Sequence, residues 1–186
     1  MKDHFAMVAP FYDYFLGRRY PRYLAGLLKL PINGLLLDAG GGTGRISVHF
    51  RSLVKKVIVS DLSFPMLIQT QQKGGLFPVQ AHAECLPFGS GMFDRIVVVD
   101  ALHHFCDQEQ AVRELIRILK PGGRMVIEEP DINLFSVKVV ALAEKLFKMQ
   151  SRFLSASEIC RMISENGLNP RTEKTKNFRT WIVADK

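Results

Sequence analysis

Leu35 to Arg45 reads LLLDAGGGTGR. Three leucines form a short buried-strand pattern, Asp38 follows, and Gly40, Gly41, Gly42 and Gly44 come next. Such a strand running into glycines lets backbone approach a ligand, because glycine accepts positive φ and carries no Cβ. A dinucleotide loop of the G-x-G-x-x-G type needs a third glycine for helix–strand packing. Counted from Gly40, that position holds Arg45, and only a degraded match starts at Ala39. The spacing G-x-G-x-G at Gly40, Gly42 and Gly44 fits better, and no Walker lysine follows. Alone, a glycine triplet also serves as a purely structural turn.

Beyond the loop, Ile46, Phe50, Leu53 and Val54 recur at helical spacing and predict a helix from about Gly44. A second strand, Lys56 to Ser60, ends at Asp61, about 20 residues past the loop, where a carboxylate can accept hydrogen bonds from both ribose hydroxyls. The competing role for Asp61 is a helix cap, which Ser63 could supply instead. A short strand near Phe77 to Ala81 precedes a loop marked by Pro87, Gly89 and Gly91. Ile96 to Val99 is the β-branched run expected of a parallel strand buried on both faces. Asp107 and Gln110 give a capping pattern for a helix with Val112, Leu115, Ile116 and Leu119 on its apolar face. Lys120-Pro121-Gly122-Gly123 ends that helix, and Met125 to Ile127 is the fifth strand. Strand and helix alternate as in an α/β, doubly wound parallel sheet.

Residues 131–154 interrupt the alternation with a helical segment striped by Phe135, Val139, Leu142, Leu146 and Met149. Ser155 with Glu158 caps a further helix, closed by Asn166-Gly167. Asn169 to Asp185 reads as two strands around Thr175 to Phe178, a terminal antiparallel hairpin. Ahead of the first strand, Phe5, Phe11, Tyr12, Tyr14, Phe15, Tyr20 and Tyr23 make an aromatic segment, followed by the basic patch GRRYPR and a helix over Leu24 to Leu30. Residues 1–30 are therefore expected to form a helical cap, and 131–154 a helical insertion or lid, on one domain spanning 1–186.

The 186 residues with 47% hydrophobic content suit one domain with a real core. Cys85, Cys106 and Cys160 lie far apart and form no CxxC, so neither a disulfide framework nor a zinc site is expected; no metal is implied. A reduced, cytoplasmic setting follows, with no signal peptide and no apolar run of membrane-spanning length. The net charge of +7 is scattered and makes no single basic block, which disfavours a nucleic-acid partner.

Taken in order, DAGGGTGR, VIVSDLS, AECLPFGSGMFDRIVV, ALHHFCD and ELIRILKPGGRMVIEEP resemble the class I S-adenosylmethionine-dependent methyltransferases. The similarity covers about Leu35 to Pro130, with APFYD a weaker part, and lies nearest the small-molecule branch of ubiquinone and menaquinone C-methyltransferases. It implies a Rossmann-like, mostly parallel seven-stranded sheet with a C-terminal antiparallel hairpin strand. It implies S-adenosylmethionine as cofactor and S-adenosylhomocysteine as product. Asp38 and Gly40, Gly41, Gly42, Thr43 and Gly44 would hold the methionine part, Asp61 the ribose, Leu62 and Met66 the adenine faces. Ala83, Glu84 and Cys85 would lie by the adenine edge, and Asp100 and Ala101 near the sulfonium. His82 stands where relatives often carry an acid for the adenine amino group.

Methyl transfer needs a base only if the acceptor loses a proton, since the cofactor carries its own leaving group. His103 and His104, after the fourth strand, are the candidate bases. Tyr12, Arg18 and Glu129 are candidate acceptor contacts. The apolar additions at both ends of the common sheet suit a small apolar or aromatic acceptor, methylated on carbon or oxygen. Lys138, Lys145 and Lys148 leave a peripheral membrane contact open. Oligomeric state is not legible. The alternative from another class is an S-adenosylmethionine-binding regulatory or assembly protein without turnover.

Overall fold

In the computed structural model, residues 21–130, 152–174 and 179–186 are described. Residues 1–20 of the expected cap over 1–30, with Tyr12 and Arg18, and residues 131–151 of the expected insertion over 131–154 lie outside them. Seven strands form one sheet in the order β3-β2-β1-β4-β5-β7-β6. They are β1 Leu35–Ala39, β2 Lys56–Asp61, β3 Phe77–Gln80, β4 Phe93–Val99, β5 Leu119–Pro130, β6 Arg171–Lys174 and β7 Arg179–Asp185. The first five pair in parallel, while β7 runs antiparallel to β5 and β6 antiparallel to β7. The expected α/β, Rossmann-like fold with its terminal hairpin is what the chain adopts. From β1 the chain steps outward through β2 and β3, then returns to the other side of β1 as β4. That reversal opens a crevice beyond the carboxyl ends of β1 and β4.

Alternate residues of the central strands feed two cores. On one face Leu37, Ile96, Val98 and Ile127 pack with α3 (Gln108–Ile118) and α4 (Ala156–Glu165). On the other, Leu36, Val57, Val97 and Val126 pack with α1 (Pro21–Leu27), the stretch after the glycine loop, and α2 (Phe64–Gln72). The caps form as their side chains dictate. Asp107 Oδ1 accepts from the Gln110 N–H at 2.9 Å, and Ser155 and Glu158 make a reciprocal capping box. Among the described residues no helix is long and apolar enough to cross a membrane.

Two expectations change. The helix predicted from Gly44 is a single 3-10 turn, Ser47–His49, within a run of turns. Its bonds are mostly i to i+3, as in His49 N to Ile46 O and Leu53 N to Phe50 O. Tighter winding rises about 2.0 Å per residue against about 1.5 Å in an α-helix. The few residues between Gly44 and β2 can thus travel back along β1 while Phe50 stays fully buried. Secondly, α3 stops at Ile118, and Lys120 to Gly123 belong to β5, whose twelve residues start at Leu119. The register slips between Phe93 and Arg95, and Gly122 at φ +74 takes up the extra chain.

Arg124 fastens three elements. Its guanidinium donates to both carboxylate oxygens of Asp185, at 2.6 and 2.7 Å, and to the Leu27 carbonyl at 2.9 Å. The side chain is buried whereas Asp185 is half-exposed, so screening limits the pair's worth. Arg124→Ala is expected to cost about 2 kcal/mol in urea unfolding, mainly through lost donors to β7 and α1. A loss below about 0.5 kcal/mol, the range of an exposed ion pair, would show that the staple is ornamental.

Candidate functional site

The crevice at the reversal point is a cleft lined by Asp38, Gly40, Gly41, Gly42, Arg45, Ile46, Val99 and Asp100. Its floor is made by close approach. A Cβ on Gly40 would stand 2.6 Å from the Ala101 methyl and 3.1 Å from the Phe105 ring, and one on Gly41 would stand 2.6 Å from the Asp38 carboxyl carbon. Real Cβ atoms do not come so near, and Gly40 also sits at φ +70, so glycine is required there. Thr43 and Gly44 are buried behind the lining. A Cβ on Gly44 would meet Leu76 at 2.7 Å.

Most loop N–H groups that could have met a ligand are already engaged. Gly40 N and Gly41 N both donate to Ser60 O, at 2.8 and 3.2 Å, and Gly44 N donates to Gly41 O. Gly42 N donates to Asp61 Oδ2 at 2.8 Å. The glycines therefore shape the cleft through missing side chains more than through donated hydrogen bonds. From α2, Thr70 Oγ1 donates to Gly42 O, and Lys73 Nζ just past its end donates to Thr43 O, fixing the far side of the loop.

Asp61 joins loop and helix, since its other oxygen accepts from Ser63 N at 2.8 Å. It thus does part of the capping that Ser63 was expected to do; the Ser63 side chain makes no cap bond. A carboxylate has about four lone-pair sites, more than these two backbone bonds use. Asp38 is buried, held by Ser47 Oγ at 2.6 Å. Burial pushes its carboxyl up to about 6, opposed by the Ser47 bond and the nearby Arg45 charge. Asp100 takes a left-handed conformation, φ +57, rare for a residue with a side chain and frequent at functional turns. It lies 3.9 Å from the Arg179 guanidinium, which also pairs with buried Glu128.

The adenine-side residues are placed unevenly. Leu62 is 40% exposed and offers an apolar shelf, whereas Met66 is buried at 2%. Ala83 is buried and Cys85 exposed, with Cys85 N donating to His82 O. Glu84 braces the start of α3, where its Oε1 accepts from Asp107 N at 3.1 Å. His82 is well exposed, 3.7 Å from Glu84.

The two histidines differ. His103 is 4% exposed, its Nδ1 is 2.6 Å from Glu129 Oε2, and Phe153 stacks on its ring at 4.3 Å. His104 is only partly buried, and desolvation with the neighbouring His103 lowers it to about 3. It is neutral at physiological pH and a weak base. Glu129, a candidate acceptor contact, is 4% exposed; it accepts from Ala101 N and Leu102 N and meets His103 Nδ1, all in the turn after β4.

Arg45 is what the sequence reading missed. There it served only to discount a third glycine; in the structure its side chain lines the cleft with Asp38 and Asp100. Its position one residue past the loop was the available signal. Asp38, Asp100 and Arg45 thus line a glycine-walled crevice, and Asp61 is bonded to Gly42 N beside it. Among the described residues no cluster of His, Cys, Asp or Glu could hold a metal ion.

A doubly wound sheet with a crevice at its reversal point is an architecture this chain shares with a solved S-adenosylmethionine-dependent methyltransferase. Residues 37–127 match the family model described as a methyltransferase domain. The chain is 37% identical over 122 residues to the ubiquinone/menaquinone biosynthesis C-methyltransferase UbiE of Francisella tularensis subsp. novicida, covering 60% of this chain and 47% of that protein. It thus spans about half the length of such relatives. Among solved structures it resembles an S-adenosylmethionine-dependent methyltransferase of Thermotoga maritima, with a TM-score of 0.78, 25% identity and 98% of both chains covered. It also resembles the YcgJ protein of Bacillus subtilis, with a TM-score of 0.75, 28% identity, and 83% of this chain and 70% of that one covered.

The raised Asp38 carboxyl has a stability consequence. A folded value of about 6 against 3.8 favours the protonated form in the native state. The corresponding stability is present below pH 4 and lost as pH rises through 6, amounting to about 3 kcal/mol. Asp38→Asn, which still accepts from Ser47, is expected to raise the melting temperature of the ligand-free protein at pH 7.5 and to flatten its decline between pH 4 and 6. An unchanged profile would mean that Asp38 is ionised at no cost.

Proposed function

We propose that the protein transfers the methyl group of S-adenosylmethionine to a small apolar or aromatic acceptor. The observation that carries this reading is the cleft at the reversal of strand order, lined by Asp38, Asp100 and Arg45, with Asp61 bonded to the loop at Gly42. Asp38 would face the ammonium of the methionine part and Arg45 its carboxylate. Asp61 would accept from the two ribose hydroxyls, and Leu62 would underlie the adenine. Asp100, at the end of β4, would lie on the sulfonium side. The cofactor supplies an activated methyl group with its own leaving group, so what the chain adds is alignment and exclusion of water.

The finer reading is carbon methylation of an electron-rich quinol-like ring. It is supported by the 37% identity to a protein named for C-methylation in ubiquinone and menaquinone biosynthesis. Carbon attack on a methyl cation equivalent favours the reduced, hydroxylated ring, and a ring proton leaves afterwards.

Calorimetry with S-adenosylmethionine and S-adenosylhomocysteine tests the first step. Binding of both is expected, and failure of both would overturn the proposal. Asp61→Ala is expected to weaken binding at least tenfold by removing a two-oxygen acceptor; near-wild-type affinity would mean the ribose lies elsewhere. Anaerobic incubation with 1,4-naphthohydroquinone, read as S-adenosylhomocysteine formation and ring methylation by mass spectrometry, tests the acceptor. Cofactor binding with no transfer to quinols, phenols or amines would favour the non-catalytic, regulatory reading.

Affinity should also depend on pH. Because the cationic ligand selects ionised Asp38, binding weakens as pH falls through about 6, by at most tenfold per pH unit. At pH 6, where Asp38 is about half protonated, binding should release about half a proton per site, detectable as a binding heat that varies with the buffer's ionisation enthalpy. Buffer-independent heats would remove Asp38 from the ammonium site.

A further inference from the structure

Glu129 is a buried carboxylate beside the cleft that the cofactor reading leaves without a role. It stands near the end of β5, 4% exposed. Its Oε1 accepts from Ala101 N at 3.1 Å and Leu102 N at 2.7 Å, and its Oε2 meets His103 Nδ1 at 2.6 Å. All three partners belong to the turn that follows β4. That turn closes the floor of the cleft, for the Ala101 methyl and the Phe105 ring fill the space where a Gly40 side chain would be. One buried carboxylate therefore holds the turn that abuts the glycine loop.

The chemistry of the pair goes further. Because Glu129 Oε1 already accepts from two backbone N–H groups, the 2.6 Å contact at Oε2 suits His103 Nδ1 as its donor. With Nδ1 committed as donor, Nε2 is the basic nitrogen of a neutral His103 ring, as when a carboxylate orients a histidine in other sites. The ring is further located by Phe153 on one side, with His104 at 4.0 Å. The His103 carbonyl accepts from Arg152 N at 2.9 Å, and Gln108 Nε2 ties Leu102 O to Arg152 O. The turn is thus held from β5, from α3 and from the chain that leads into α4.

We propose that Glu129 is a positioning residue for methyl transfer: it sets the turn after β4 against the glycine loop and holds His103 as its Nδ1–H tautomer. The proposal rests on the methyl-transfer reading above and adds which carboxylate aligns the turn. Glu129→Gln separates this from a merely structural role. Its amide oxygen can still accept from Ala101 N and Leu102 N, since the reverse orientation would set an NH₂ against two N–H donors. Its NH₂ then faces His103 Nδ1 and demands an acceptor there.

Nitrogen-15 NMR of the imidazole side chains is expected to show His103 protonated on Nδ1 in the wild type and on Nε2 in Glu129→Gln. The variant should keep its melting temperature within a few degrees and bind S-adenosylmethionine within about threefold of wild type. With 1,4-naphthohydroquinone, kcat should fall at least tenfold with KM little changed. A tautomer that does not flip, or a kcat within twofold of wild type, overturns the proposal. If the wild type methylates no quinol, the acceptor reading fails separately, and Glu129 is judged on the tautomer and on Glu129→Ala. That variant removes the acceptor for two backbone donors and should weaken S-adenosylmethionine binding at least fivefold; unchanged affinity overturns the positioning role.

Discussion

The whole site depends on Gly40 having no side chain. The carboxyl ends of β1 and β4 are brought so close that the Ala101 methyl occupies the place of a Gly40 Cβ, 2.6 Å from where that atom would be. This contact closes the bottom of the crevice while the reversal of strand order keeps its top open. Each wall is then braced from behind. Ser60 O, Asp61, Thr70 and Lys73 hold the glycine loop, and Glu129 holds the opposite turn.

Charge follows from the same geometry. Strand ends converge on the crevice, so acids that end β1, β2 and β4 or sit beside them, Asp38, Asp61 and Asp100, are gathered although they are distant in sequence. Asp38 is the costly member, because its carboxyl is buried and raised to about 6 in the absence of ligand. A cation in the cleft would relieve that penalty, which links ligand affinity to protein stability through one residue. Asp61 is the opposite case. It already accepts from Gly42 N and Ser63 N before any ligand arrives, so it is oriented in advance.

Much of this was legible along the chain. The apolar runs and caps at Asp107 and Ser155, with the terminal hairpin, foretold the alternation and the sheet type, because strand and helix periodicity and capping are local properties. The ordered motifs from DAGGGTGR to VIEEP foretold the region that matches the methyltransferase-domain model, and Asp38, Gly40, Gly42 and Asp61 do lie together in space. The segment after Gly44 misled, since Ile46, Phe50 and Leu53 fit a helical period equally well when wound as 3-10 turns that must cover the length of β1 with few residues. The adjacent histidines could not be ranked either. Burial and a partner separate His103 on Glu129 from the weakly basic His104, and neither is a property of the pair LHH.

The sequence by itself determined most of the strands, the two capped helices, the tight turn at the glycines, and which acids end strands, since these follow from local sterics and periodicity. Tertiary structure alone decided that Arg45 faces the cleft, that loop N–H groups are engaged by Ser60 and Asp61, and that Glu129 braces Ala101, Leu102 and His103. Those contacts join residues up to 28 positions apart, and only the folding of the sheet brings such partners within hydrogen-bond distance.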